Sequence, residues 1–148
     1  MDIPRSVKIR DVIKGEVADP VNVVFEIPLE EVKAVLQRDG WVEGVFEHRA
    51  ELEGREPIYT AARDVVWIFV RFHIRLWPHG GVYLGNVHLD VTEALGHVGE
   101  HNVGRTYVAG LYALAGYCVE VVQLGPTEKF DGAAVKVFKC GKEERREV

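Results

Sequence analysis

Polar and apolar side chains alternate most regularly over residues 65–91, VVWIFVRFHIRLWPHGGVYLGNVHLDV. Successive side chains on a strand point to opposite faces, so Val66, Ile68, Val70, Phe72, Ile74 and Leu76 form one row and Arg71, His73 and Arg75 another. Downstream, Tyr83, Val87, Leu89 and Val91 stand against Asn86, His88 and Asp90. The pattern predicts a hairpin turning at Pro78-His79-Gly80-Gly81, with Trp77 opposite Val82, Arg71 opposite His88 and His73 opposite Asn86. That register brings both polar rows onto one face, and a one-residue slip would mix polar with apolar on both. Gly85 is the position where a bulge would break the parity.

The same reading applied to the rest of the chain predicts strands over residues 5–13, 21–27 and 41–47. A three-turn helix lies over PLEEVKAVLQRDG, with Pro28 in its first turn, Leu29, Val32, Val35 and Leu36 on its apolar face and Gly40 ending it. The charged stretch HRAELEGREPIYTAARD lacks periodicity and reads as an exposed loop, from which Arg55 and Arg63 fold over the polar hairpin face. TEALGHVGEHNVG reads as a glycine-rich loop. Asn102 is the expected cap of a second helix over 103–116 with Tyr107, Val108, Leu111, Leu114 and Ala115 buried. Gly104 and Gly110 each weaken that helix by about 1 kcal/mol relative to alanine, which points to close packing on the sheet. Residues 117–124 and 133–139 complete the strands, and the charged tail 141–148 is expected to fray. Hairpin-like strands with only two helices predict one α+β domain over 1–148, a mostly antiparallel sheet with a central 65–91 hairpin and two covering helices.

Composition narrows the functional classes. The chain has 148 residues, 47% hydrophobic and 28% charged, with a formal net charge of -5, the balance of a folded domain with a real core. The acidic field opposes nucleic acid. No run reaches the roughly 18 apolar residues of a membrane span, and no signal-peptide core is present, so the expected compartment is the cytoplasm. Ser6 is the only serine, which argues against a serine hydrolase triad. Cys118 and Cys140 lack metal or redox spacing and read as small buried hydrophobes. They would pair if the source were a hyperthermophile, and scarce Ser and Gln with abundant Glu, Arg and Val lean towards a thermophilic protein.

The polar face carries the candidate chemistry. Two arginines, two histidines, an asparagine and an aspartate, flanked by Trp67, Phe69 and Trp77, describe a pocket better than a solvated sheet face. In the leading reading Arg71, Arg75 and Arg105 hold a phosphate or carboxylate through paired guanidinium hydrogen bonds, with Asn86 and His101 also lining the ligand. His73 and His88 move protons and Asp90 orients His88; the expected activity is phosphoester hydrolysis, without a cofactor. The alternative places Zn or Mn on His88, Asp90, His97 and His101, against which Arg71 and Arg75 would repel a cation. His97-Val98-Gly99-Glu100-His101 matches the H-x-x-E-H pattern of inverted zinc peptidases, but its glycines disfavour the helix that pattern requires. From a third class, the face could serve a non-enzymatic interaction module that docks a partner or forms a homo-oligomer.

In order along the chain, Asn22-Val23-Val24-Phe25, Asp39-Gly40-Trp41, the R-x-H-x-R-x-W run from Arg71 to Trp77, the G-x-x-H-x-D run from Gly85 to Asp90, His97 and Arg105 resemble the LssY C-terminal domain. The likeness spans residues 21–117 and implies a soluble α/β module, of a family often joined to membrane proteins of the phosphatidic-acid-phosphatase type and without an assigned role. It marks Trp41, Arg71, His73, Arg75, Trp77, His88, Asp90, His97 and Arg105. The chain is expected to depart from the family in having no membrane portion, and it places Val103-Gly104 before Arg105, where acidic residues are expected.

Overall fold

The computed structural model describes residues 9–11, 20–44, 50–66, 69–93, 96–124 and 132–141, with backbone alone for 9–11, 50, 92, 93 and 96–99. Along the chain run β1 (Ile9–Asp11), β2 (Val23–Phe25), α1 (Leu29–Arg38), β3 (Val42–Glu43), β4 (Ala50–Leu52), β5 (Tyr59–Val66), β6 (Val70–His79), β7 (Val82–Glu93), β8 (Gly96–Glu100), α2 (His101–Leu114), β9 (Cys118–Gln123) and β10 (Ala133–Phe138). The main sheet has the order β3-β5-β6-β7-β2-β10-β9, with β8 as an additional partner of β7, while β1 and β4 form a separate pair. Among the described residues only β2 and β10 run parallel; the other ladders are antiparallel. This is an α+β, sheet-dominated architecture. Among the described residues no helix is long and apolar enough to cross a membrane.

Hydrophobic burial explains the layers. Both helices lie on one face of the sheet, where Val32, Val35 and Leu36 of α1 and Val108 and Tyr112 of α2 pack on Phe25, Phe72, Ile74, Val87 and Val137. Tyr112 donates to the carbonyl of Val32 at 2.7 Å and Tyr117 to Glu31 at 2.8 Å, tying the second helix to the first. On the opposite face Trp77, Val82 and Leu84 pack with Val24, Ala134 and Leu52. Strand β2 therefore buries both faces, which is why its sequence is an unbroken apolar run. Trp77 donates its indole N–H to the carbonyl of Arg55 at 2.9 Å, and His79 pairs with Glu53 at 2.8 Å, so the β4 segment is fastened over the turn end of the hairpin.

Several sequence expectations are corrected. The turn between β6 and β7 is Gly80-Gly81, both at positive φ, with His79 opposite Val82; a two-residue loop of this kind suits the twist of a hairpin. The register moves by two residues from the expected one, keeping the described side chains of β6 and β7 on their predicted faces but placing His73 opposite His88 and Arg71 opposite Asp90. No bulge occurs at Gly85: the ladder is continuous, and a Cβ there would lie 1.9 Å from the Arg75 carbonyl oxygen. Val65 and Val66 end β5 instead of opening β6, and Val66 is exposed instead of core. Ile68 and Trp67 lie outside the described residues. Phe69 is exposed at the turn and Trp77 is fully buried in the second core, so neither is a pocket wall.

The segment read as an exposed loop holds β4 and β5, whose Ala61-Ala62-Arg63 run interrupts the alternation that marks a strand. Arg63 sits on the helix-covered side, where it donates to the Asp39 carbonyl at 2.7 Å, and does not cover the polar face. The predicted loop after residue 91 contains the end of β7, all of β8 and the start of α2. Asn102 is not the cap of α2, because the helix begins at His101. Its buried residues are Gly104, Val108 and Tyr112, whereas Leu114 and Ala115 are exposed. Cys118 and Cys140 form a disulfide, correcting the reading as two buried thiols. Ser6 and most of the tail fall outside the described residues.

Candidate functional site

Beyond the apolar half packed around Trp77, the face shared by β6 and β7 turns polar. The register sets Arg75 opposite Asn86, His73 opposite His88 and Arg71 opposite Asp90, and directly opposed side chains lie about 4.5–5.5 Å apart at Cβ. Asp90 is the centre of this face, only 4% exposed. Its Oδ2 takes Nδ1 of His73 in a close contact and Nε2 of His88 at 3.2 Å. Burial alone would push the Asp90 carboxyl up, but its side-chain hydrogen bonds with His73 and His88 outweigh it and hold Asp90 well below the usual carboxylate range. Asp90 is therefore ionised, and one buried carboxylate oxygen gathers two imidazoles.

The cluster extends sideways through Asn86. His88 Nδ1 lies 2.7 Å from Asn86 Oδ1, and Asn86 Nδ2 reaches both the Pro20 carbonyl at 2.7 Å and His101 Nδ1 at 3.0 Å. The His88 ring stands edge-on to His73 at 5.4 Å between centroids and to His101 at 5.6 Å. His101 arrives there because α2 starts against β7. A Cβ on Gly104 would lie 2.7 Å from His88 Cα and from the Val87 carbonyl oxygen, so only glycine admits this approach. The close packing foreseen for Gly104 is thus located on the strand that carries His88.

The edge of β7 is also unusual at this point. Strand β2 covers it at Tyr83–Gly85 and β8 covers it from Leu89 onwards. In the gap, the side chain of Asn22 takes the place of a strand: Nδ2 donates to the Val87 carbonyl at 2.7 Å and Oδ1 accepts from the Val87 N–H at 2.9 Å. The same Nδ2 reaches the His101 carbonyl at 3.1 Å. Asn22 is wholly buried. A lone asparagine inside the apolar run VNVVF is the signal in the sequence that something polar in the interior needs an amide.

Of the expected site residues, His73, His88, Asp90, Asn86 and His101 come together. One ligand atom from each of His73, His88 and Asp90 lies within 4.8 Å of the other two, so among the described residues these three form a group able to hold a metal ion. His73 thus takes the place that the metal reading had given to His97 or His101. His97 lies on β8 opposite Thr92, with its side chain outside the description, and His101 Nδ1 is engaged by Asn86. Arg71 Nε pairs with Asp64 at 2.6 Å across β5 and β6, which offsets the positive charge expected to repel a cation. Arg75 is on the same face, beside Asn86. Arg105 is elsewhere: it donates to the Ala133 carbonyl at 2.6 Å and to Asn102 Oδ1 at 2.8 Å, bracing α2 against β10.

The chain matches no family model, no curated protein and no solved structure.

Proposed function

We propose that the polar face of β6 and β7 is a mononuclear metal site in which His73, His88 and Asp90 bind Zn or Mn, and that it serves hydrolysis of a small anionic ester. The observation that carries the proposal is the convergence of two imidazoles and one ionised, buried carboxylate within 4.8 Å. Two nitrogens and one oxygen suit Zn, Mn or Fe, and three protein ligands leave a coordination position for water or substrate, as catalytic sites do. A metal held there would supply Lewis acidity. The chain's own contribution is a buried, pre-arranged donor set, with Arg75 on the same face to attract a phosphate or carboxylate.

A second reading rests on the close contact of His73 Nδ1 with Asp90 Oδ2. An imidazole oriented by a carboxylate is a competent general base without any metal, and the face would then bind the anion and move protons directly. The resemblance to the LssY C-terminal domain belongs to the same proposal, since Arg71, His73 and Arg75 of its R-x-H-x-R-x-W run and His88 and Asp90 of its G-x-x-H-x-D run lie on this face.

The test is the denaturant midpoint of chelator-treated protein alone, with stoichiometric Zn or Mn, and with millimolar phosphate. A ligand present at a hundredfold over its Kd adds about 2.7 kcal/mol. A rise with metal that is lost in His73→Ala supports the metal site, and chromogenic phosphoesters then probe activity. A rise with phosphate alone favours the metal-free reading, and no rise with either leaves an interaction surface.

A further inference from the structure

The hydrogen-bond geometry around Asn86 assigns more than the metal reading uses. The Pro20 carbonyl oxygen can only accept, so the Asn86 atom 2.7 Å from it is the amide nitrogen, and Oδ1 is the atom facing His88 Nδ1. An amide oxygen also only accepts. His88 Nδ1 must therefore carry hydrogen, which leaves Nε2 as the ring atom directed at Asp90 Oδ2, 3.2 Å away. A lone pair on Nε2 and an ionised carboxylate oxygen do not attract each other unless a cation, a proton or a metal ion, stands between them. The second hydrogen of the same amide goes to His101 Nδ1 at 3.0 Å, so that nitrogen accepts and any hydrogen of the neutral His101 ring sits on Nε2. Asn86 is 3% exposed, and both of its amide hydrogens are engaged.

We infer that Asn86 is a positioning residue that sets opposite tautomers on two histidines, hydrogen on Nδ1 of His88 and on Nε2 of His101, and thereby presents His88 Nε2 to the Asp90 side of the site. In its metal-binding consequence the inference rests on the reading of His73, His88 and Asp90 as a metal site; the tautomer assignment stands on the hydrogen bonds alone. Because the amide is anchored to Pro20 on one side and to the first residue of α2 on the other, it also makes the orientation of His88 depend on the seating of that helix.

Long-range proton–nitrogen spectra of the metal-free wild-type protein test the assignment without any variant. The expected result is a hydrogen-bearing Nδ1 for His88 and a hydrogen-free Nδ1 for His101; a hydrogen-free His88 Nδ1, or a hydrogen-bearing His101 Nδ1, overturns the inference. The second measurement is Zn affinity by competition with a chromophoric chelator, in wild type and in Asn86→Ala. Loss of an outer partner of a metal-bound histidine costs roughly 10–100-fold in affinity, and that is the fall expected here. Asn86→Asp keeps an acceptor for His88 Nδ1 but sets its second oxygen against the Pro20 carbonyl, and is expected to recover affinity only in part. If the wild type binds Zn and Asn86→Ala binds equally well, the positioning role is refuted while the metal site stands. If the wild type binds neither Zn nor Mn, the metal site fails, and the tautomers alone decide the role of Asn86.

Discussion

Replacing Asn22 with alanine is the sharpest test of how the site is held. The substitution deserts the Val87 N–H and the Val87 carbonyl, both buried, and the partly buried His101 carbonyl. A buried group left without its partner costs about 1–3 kcal/mol. Two such groups and a third, partly wet one sum to a loss of roughly 3–6 kcal/mol, against a typical total of about 5–15 kcal/mol for a domain. With a urea slope of about 2 kcal/mol/M, the unfolding midpoint of Asn22→Ala should drop by roughly 1.5–3 M. Asn22→Asp should be no better, since it sets a second oxygen against the Val87 and His101 carbonyls where Nδ2 now donates. Hydrogen exchange localises the effect, with protection of the Val87 amide falling in Asn22→Ala, where its acceptor is gone, and falling less in Asn22→Asp, which keeps an oxygen for it. A midpoint within about 0.5 M of wild type, with Val87 still protected, would refute the claim that this side chain substitutes for a strand.

Neighbouring residues on opposite faces give a second contrast. Phe72→Ala removes a ring stacked between Trp41 at 5.7 Å and Tyr107 at 4.5 Å and should cost about 3–5 kcal/mol, whereas Arg71→Ala loses an exposed ion pair with Asp64 and should change stability by less than about 1 kcal/mol; equal midpoints for the two would invalidate the face assignment. Gly104→Ala, which sets a methyl 2.7 Å from β7 backbone, should be destabilising even though alanine favours helices by about 1 kcal/mol, and a more stable variant would mean that α2 does not rest on His88. Reducing the disulfide between Cys118 and Cys140, which closes a loop with a sequence separation of 22, should lower stability by about 3 kcal/mol, measured as the urea midpoint with and without reductant.

How much of this was legible beforehand follows from what each pattern encodes. Alternation reports the face of a residue, so the grouping of His73, His88, Asp90 and Asn86 on one side survives a register error of two residues. It does not report which residues face each other across a turn; Pro78 looked like a turn residue, yet it lies within β6 opposite Tyr83. Strand β5 was missed because small and charged residues at Ala61, Ala62 and Arg63 carry no period of two. The stripe of α2 was misphased because its first turn is seated by Gly104, a residue with no side chain to register as apolar. Neither the role of the Pro20 carbonyl nor the pairing of Asp64 with Arg71 has any signature in sequence, because both arise only when distant segments meet.

The borrowed amide on β7 also bears on the order of assembly. A hairpin of β6 and β7 forms from residues adjacent in the chain, but the group that completes the β7 edge comes from a position 65 residues earlier, and its contact with α2 spans 79. Contacts of that separation must first meet the entropy of closing a long loop. In refolding, exchange protection should therefore appear along the β6–β7 ladder before it appears at the Val87 amide. The Asn22 brace on Val87, next to His88 in the chain, would then be among the last contacts of the molecule to form.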